Sequence, residues 1–165
     1  MDLNEQHEKF MRMAIELAEQ NVLQNLGTPF GAVIVKDGEV IGKSANIVTQ
    51  SIDPTAHAEI AAIRLACEKI NSFDLSGAVI YTSCEPCPMC LGALYWSKIQ
   101  TIYFANTKQD AAKINFDDEF IYKEFEKPME KRDLPIEQLL RDEAQKAFKL
   151  WENSPLNDKQ KKADF

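Results

Sequence analysis

Three cysteines fall within seven residues, Cys84-Glu85-Pro86-Cys87-Pro88-Met89-Cys90, with two prolines set between them. No other segment restricts the fold so tightly. Pro86 has no N–H to give and ends whatever regular structure precedes it, whereas Pro88 suits the first turn of a helix. The run just before, Ala78-Val79-Ile80-Tyr81-Thr82, is short, β-branched and apolar, and predicts a strand. The chain must therefore pass from strand to helix within a few residues, and that helix is expected to reach about Trp96. Cys87 and Cys90 are three apart and share one face of it. Thiols crowded in this way suit a metal or a reactive thiol better than a disulfide framework.

The flanking segments extend the pattern. Phe10, Met13, Ala14 and Leu17 recur at helical spacing and predict an amphipathic helix over 3–23. Two strand-like runs, 31–35 and 39–42, follow Gly27-Thr28-Pro29, and Asp37-Gly38 between them predicts a hairpin. Residues 46–55 are polar, carry Asp53-Pro54 and predict a loop. A second helix is expected from His57, with Ala58, Ala61, Ala62, Leu65 and Ala66 as a stripe of mostly small residues. Cys67 within it reads as a small core residue, and His7 on the first helix as a solvated one. Thr101–Ala105 is another strand, which with the strand at 78–82 and the helix between makes a βαβ unit of parallel strands. Beyond Asn106 the pattern is helical, ending in a long stripe from Ile136 through Leu139, Leu140, Ala144, Ala147 and Phe148 to Trp151.

This order, α-ββ-α-β-α-β-α, predicts an α/β fold, a three-layer α/β/α sandwich with a central mixed sheet. A chain of 165 residues with 45% hydrophobic content supports one domain, expected over 1–151, followed by a C-terminal tail over 152–165. Nineteen basic against twenty-six acidic residues leave a net charge of −7, which argues against a broad surface for nucleic acid or anionic membrane. No run approaches the roughly 18–20 apolar residues needed to span a bilayer. The opening Met1–Glu8 has no basic stretch leading into an apolar one. A cytoplasmic protein with reduced thiols is expected.

Metal chemistry needs a third ligand, and His57 is of the right kind. Glu59 stands two residues beyond it; in mid-helix the two side chains would diverge by roughly 200°. They converge only in a first turn. The spacing thus predicts two helix N-termini meeting at one Zn²⁺, held by His57, Cys87 and Cys90, with positive helix ends favouring thiolates. Catalytic zinc keeps a fourth place for a water acidified toward about pH 7, whose proton a neighbouring carboxylate can carry. Cys84 leaves a second possibility open, because with His57 the three cysteines could form a closed structural site in a non-enzymatic interaction domain, Glu59 then being a surface residue. An iron–sulfur cluster would want a cysteine where Leu94 stands.

The motifs Pro54-Thr55-Ala56-His57-Ala58-Glu59 and Thr82-Ser83-Cys84-Glu85-Pro86-Cys87-Pro88-Met89-Cys90 resemble the cytidine-deaminase-like zinc deaminase superfamily, in the branch of guanine deaminases and tRNA adenosine deaminases. The resemblance runs from Pro29-Phe30-Gly31 to Tyr122-Lys123-Glu124, and Phe116-Asp117-Asp118-Glu119-Phe120-Ile121-Tyr122 is most similar to bacterial guanine deaminases. It implies Glu59 as catalytic proton carrier, Phe30 lining a base pocket, Asn46 binding the base, and Asp118 against the base as a second proton carrier. On residue type alone Asn46 reads equally as a turn residue, and Asp117, Asp118 and Glu119 as a solvated helix start. The implied reaction is hydrolysis of a free purine base, guanine to xanthine and ammonia, with another small heterocycle as an alternative. A tRNA deaminase would need Lys and Arg around the pocket, against which the net charge counts. The resemblance also implies a homodimer with exchanged C-terminal segments, each closing an active site with a terminal aromatic; the matching residue is Phe165, in a tail longer than usual.

Overall fold

Five consecutive residues of the first strand, Gly31–Val35, are buried, which requires a sheet covered on both faces. The computed structural model describes residues 3–157. Strands β1 (Gly31–Lys36), β2 (Glu39–Ala45), β3 (Val79–Cys84) and β4 (Thr101–Asn106) form one sheet in the order β2-β1-β3-β4. β1 runs antiparallel to β2 and β3, whereas β3 and β4 are parallel. Because side chains alternate along a strand, Val33, Val35 and Tyr81 turn toward Phe10 and Ala14 of helix α1 (Leu3–Leu23). Ala32, Ile34 and Ile80 turn the other way, toward Ala58, Ala62 and Ala66 of α3 (Ala58–Ile70) and Leu94 of α4 (Pro88–Trp96). The three layers and the mixed sheet are those expected.

Local chemistry explains the connections. Asp37 and Gly38 carry φ of 51° and 80°, the two left-handed residues of a tight hairpin whose twist matches its strands. The stripe of small residues on α3 lets its backbone lie directly on the sheet, opposite Gly42. Within the expected loop 46–55 one short helix forms, α2 (Val48–Ser51). His7, expected in solvent, is half-buried, and its Nδ1 lies 2.7 Å from the Tyr81 hydroxyl. It shares a face with Phe10 and Ala14 by helical spacing, and that is the face α1 turns to the sheet. Cys67 packs half-buried against the core.

The chain divides into two compact units, one through Ile121 and one from Tyr122. Both core clusters of the described residues lie at or before Ile102, within the first unit. In the second unit the stripe expected as one helix becomes helical only at Arg141, in α7 (Arg141–Glu152). Pro135 stands ahead of Ile136, and Leu140 takes a left-handed φ of 54°, so the segment between does not wind. Among the described residues no helix is long and apolar enough to cross a membrane.

Candidate active site

Two helices on the same face of the sheet begin with a metal-binding side chain at the N-cap. His57 caps α3 with φ −62° and ψ 161°, and Cys87 caps α4 with φ −66° and ψ 166°. The extended cap conformation aims each side chain past its helix end. Pro88 supplies the first helical residue of α4, where no N–H is needed, and Cys90 follows in the same turn. His57 Nδ1 lies 3.6 Å from Cys87 Sγ and 3.5 Å from Cys90 Sγ. Tetrahedral zinc with Zn–S near 2.3 Å and Zn–N near 2.0–2.1 Å sets those edges at about 3.5 Å. The three residues therefore fit the ion without rearrangement, and their donor atoms all lie within 4.8 Å of one another.

The charges agree with this assignment. The hydrogen bond between the two thiols draws Cys87 down to about 4, with His57 assisting, and pushes Cys90 upward. A thiolate and a thiol side by side with a histidine at a buried site suit a divalent cation, whose binding displaces the remaining thiol proton. His57 is raised, first by its bond to Cys87. Glu59 lies in the first turn of α3, is 93% buried (7% exposed), and burial pushes its carboxyl above the ordinary range. Cys84 stands apart. Burial raises it to about 11, and its Sγ faces the Thr107 carbonyl at 3.7 Å. Among the described residues the ligand group is His57, Cys87 and Cys90, so the closed four-ligand arrangement does not form.

His57, Glu59 and Cys87 open on a cavity of about 460 Å³ whose walls include Phe30, Asn46 and Asp118. Phe30 meets Phe116 edge to face, ring centroids 5.1 Å apart. Asn46 is buried, and its Oδ1 accepts from the Val48 N–H at 3.2 Å. That turn bond leaves the amide NH₂ as the group Asn46 can offer the cavity. The loops bearing Phe30 and Asn46 are clamped by Asn21, a buried residue near the end of α1, whose Nδ2 donates to Thr28 O and Asn46 O, both at 2.9 Å. Burial raises the Asp118 carboxyl, opposed by the charge of Lys108.

Glu85, Lys108 and Phe116 line the same cavity, and sequence reasoning gave them no role. One signal was available: Thr107 and Asp110 form a capping box that starts α5 (Lys108–Lys113), placing Lys108 at its first residue. Phe165 lies outside the described residues.

Three protein ligands with a fourth place left for water mark catalytic zinc, and a buried carboxylate beside it that does not ligate is the mark of the zinc deaminases. The chain belongs to that class: the family described as cytidine and deoxycytidylate deaminase zinc-binding region matches residues 4–106. The guanine deaminase of Bacillus subtilis (strain 168) is 50% identical over 147 residues, covering 89% of this chain and 94% of that protein. An X-ray structure of guanine deaminase from Bacillus subtilis shares the fold with a TM-score of 0.87 and 49% identity, over 90% of this chain and 94% of that one. The tRNA-specific adenosine deaminase of Aquifex aeolicus (strain VF5) is 42% identical over 98 residues, covering 59% of this chain and 64% of that protein.

Proposed function

We propose that this zinc-dependent deaminase hydrolyses guanine to xanthine and ammonia. The observation that carries the reading is the placement of Asp118 on the cavity that Glu59 and the ligands His57 and Cys87 also line. Guanine presents N1–H and its amino group as donors on one edge, and an ionised Asp118 accepts from that edge. The Asn46 amide donates to a purine acceptor, while Phe30 and Phe116 form an apolar wall for the ring. Likeness to a guanine deaminase over nearly the full length of both chains supports the same substrate.

Zinc, when bound by His57, Cys87 and Cys90, supplies a Lewis acid and an acidified water. Glu59 takes a proton from the attacking water and returns it to the ring nitrogen beside the amino-bearing carbon. Glu59 then takes the second proton, from the hydroxyl left on that carbon, and with Asp118 relaying passes it to the amine, so that the C=O forms, the C–N bond breaks and ammonia leaves. Burial suits Glu59 to this traffic, because it raises the carboxyl and so makes it a stronger base. Such transfer contributes about 10²–10⁴-fold in rate.

The same reading places the protein in the cytoplasm as a homodimer with exchanged C-terminal segments. Support for the dimer comes from exposed apolar side chains, Tyr95 on α4 and Phe148 and Leu150 on α7. Sedimentation of the zinc-loaded protein tests the dimer, and a monomer at micromolar concentration overturns it.

The deciding experiment incubates zinc-loaded protein with guanine, adenine and cytosine and measures ammonia. Release from guanine is expected, and Glu59→Gln is expected to retain zinc while losing at least about 10²-fold in turnover. Ammonia from cytosine alone, or a fully active Glu59→Gln, refutes the reading. A tRNA deaminase would instead shift an anticodon stem-loop in a gel.

A further inference from the structure

We propose that Lys108 is a positioning residue for the deamination, joining the metal-ligand loop to the Asp118 loop and fixing Asp118 in place at the cavity wall. The inference rests on the guanine reading for its substrate, and on the following geometry for its residues.

Lys108 opens α5, and its backbone N–H donates to Glu85 Oε2 at 3.0 Å. Glu85 stands two residues before Cys87, and its own N–H donates to Asn106 O at 2.8 Å. Both sides of the β4–α5 junction are thus clipped to the segment that delivers the thiols. The Thr107–Asp110 capping box fixes the turn in which Lys108 sits. From there the lysine side chain reaches across, and its Nζ lies 3.4 Å from Glu119 Oε2. Glu119 is the first residue of α6 (Glu119–Glu126), and its N–H donates to Asp117 Oδ1 at 2.9 Å. Asp118 is therefore the middle of a folded three-residue turn whose far end Lys108 holds.

The surroundings of that turn are acidic. Glu59 from α3, Glu85 ahead of α4, and Asp117 beside Asp118 line the cavity, together with the Cys87 thiol. Glu119 at the start of α6 adds a further carboxylate, and His57 is the titratable base of the metal group. Among the described residues lining the cavity, Lys108 is the sole lysine or arginine. Burial favours a protonated Asp118, and the Lys108 charge opposes it. A protonated Asp118 could accept from the guanine edge through only part of its oxygens. The ammonium thus keeps the acceptor in the form the substrate needs, and the backbone bond to Glu85 keeps it in register with the metal.

The test compares Lys108→Met and Lys108→Arg with wild type as zinc-loaded proteins. Readouts are zinc content, kcat and KM for guanine across pH, and the ¹³C titration of the Asp118 carboxyl, identified by its loss in Asp118→Asn. Lys108→Met is expected to keep its zinc, lose about tenfold in kcat/KM, and move both the acid limb and the Asp118 midpoint up by about one pH unit. Lys108→Arg is expected to restore most of each. A purely structural joint would lower kcat without moving either midpoint. Unmoved midpoints in Lys108→Met, or no rescue by arginine, overturn the proposal. Wild-type protein that releases no ammonia from guanine defeats the substrate assignment instead, while the carboxyl titration still decides the role of Lys108.

Discussion

Gly42→Ala tests how closely α3 is set on the sheet. Gly42 lies in β2 under α3, and a Cβ built there would stand 2.9 Å from both Ala66 Cβ and Ala66 N, and closer still to the Ala62 carbonyl oxygen. Ordinary carbon contacts begin near 3.5 Å, so α3 must lift by roughly 0.6 Å or more. Two of the three obstructing atoms are backbone, so no side-chain rotation relieves the overlap. Overpacking of this kind costs about 1–3 kcal/mol. At about 2–4 °C per kcal/mol for a chain of this size, a cost of about 2 kcal/mol lowers Tm by about 4–8 °C. Activity should suffer as well, because α3 carries His57 and Glu59 whereas the thiols ride on α4. A displacement approaching 1 Å between reacting groups costs up to about 10²-fold. Calorimetry and ammonia release on the zinc-loaded protein measure both effects. Gly92→Ala in α4 is the control, since a Cβ there meets nothing within 4 Å and alanine favours a helix interior by about 0.5–1 kcal/mol. If Gly42→Ala melts and turns over like wild type, the inferred contact between α3 and the sheet is wrong.

Other expectations follow from the same contacts. Asn21→Leu removes the donor to Thr28 O and Asn46 O; the Thr28 carbonyl keeps the Phe30 N–H, but the buried Asn46 carbonyl loses its partner at a cost of about 1–3 kcal/mol. It should raise KM for guanine more than it lowers kcat, since the clamped loops bear Phe30 and Asn46 and not the metal ligands; an unchanged KM would count against the clamp. Asp110 is held at about 2, chiefly by Lys113 and Thr107, against 3.8 when free. Its folded value is depressed, so its contribution to stability is complete above about pH 4 and fades as pH falls toward 2. Wild type should therefore lose its Tm advantage over Asp110→Asn across that window, and a constant gap would refute the linkage. Thr107→Ala should cost about 1 kcal/mol in thermal melts, the usual loss of an N-cap.

Much of this protein was legible one segment at a time. Rules that act within a single turn placed His57 and Cys87 at helix starts, because Pro88 can open a helix and because Glu59 can reach the His57 side only from a first turn. The alternation of short strands and helices yielded the mixed sheet, and Asp37-Gly38 marked its hairpin. What failed in the reading failed for want of partners. The 136–151 stripe has helical spacing, but Pro135 and the left-handed Leu140 delay the helix to Arg141. His7 looked solvated until α1 turned the face it shares with Phe10 toward Tyr81.

The amino-acid sequence by itself offered the candidate donors, His57 and a cluster of three cysteines with Glu59 close by, since spacing and residue type suffice for that much. Tertiary structure alone decided that Cys84 stays out of the metal group, because its thiol turns to the Thr107 carbonyl. Packing likewise brought Asn46, Phe30, Asp118 and Lys108 to one cavity from segments far apart in the chain. Helix caps and turns are settled by bonds to near neighbours, which any short stretch of chain reveals. A cavity wall is settled by strand order and by how closely helices lie on the sheet, which no short stretch contains.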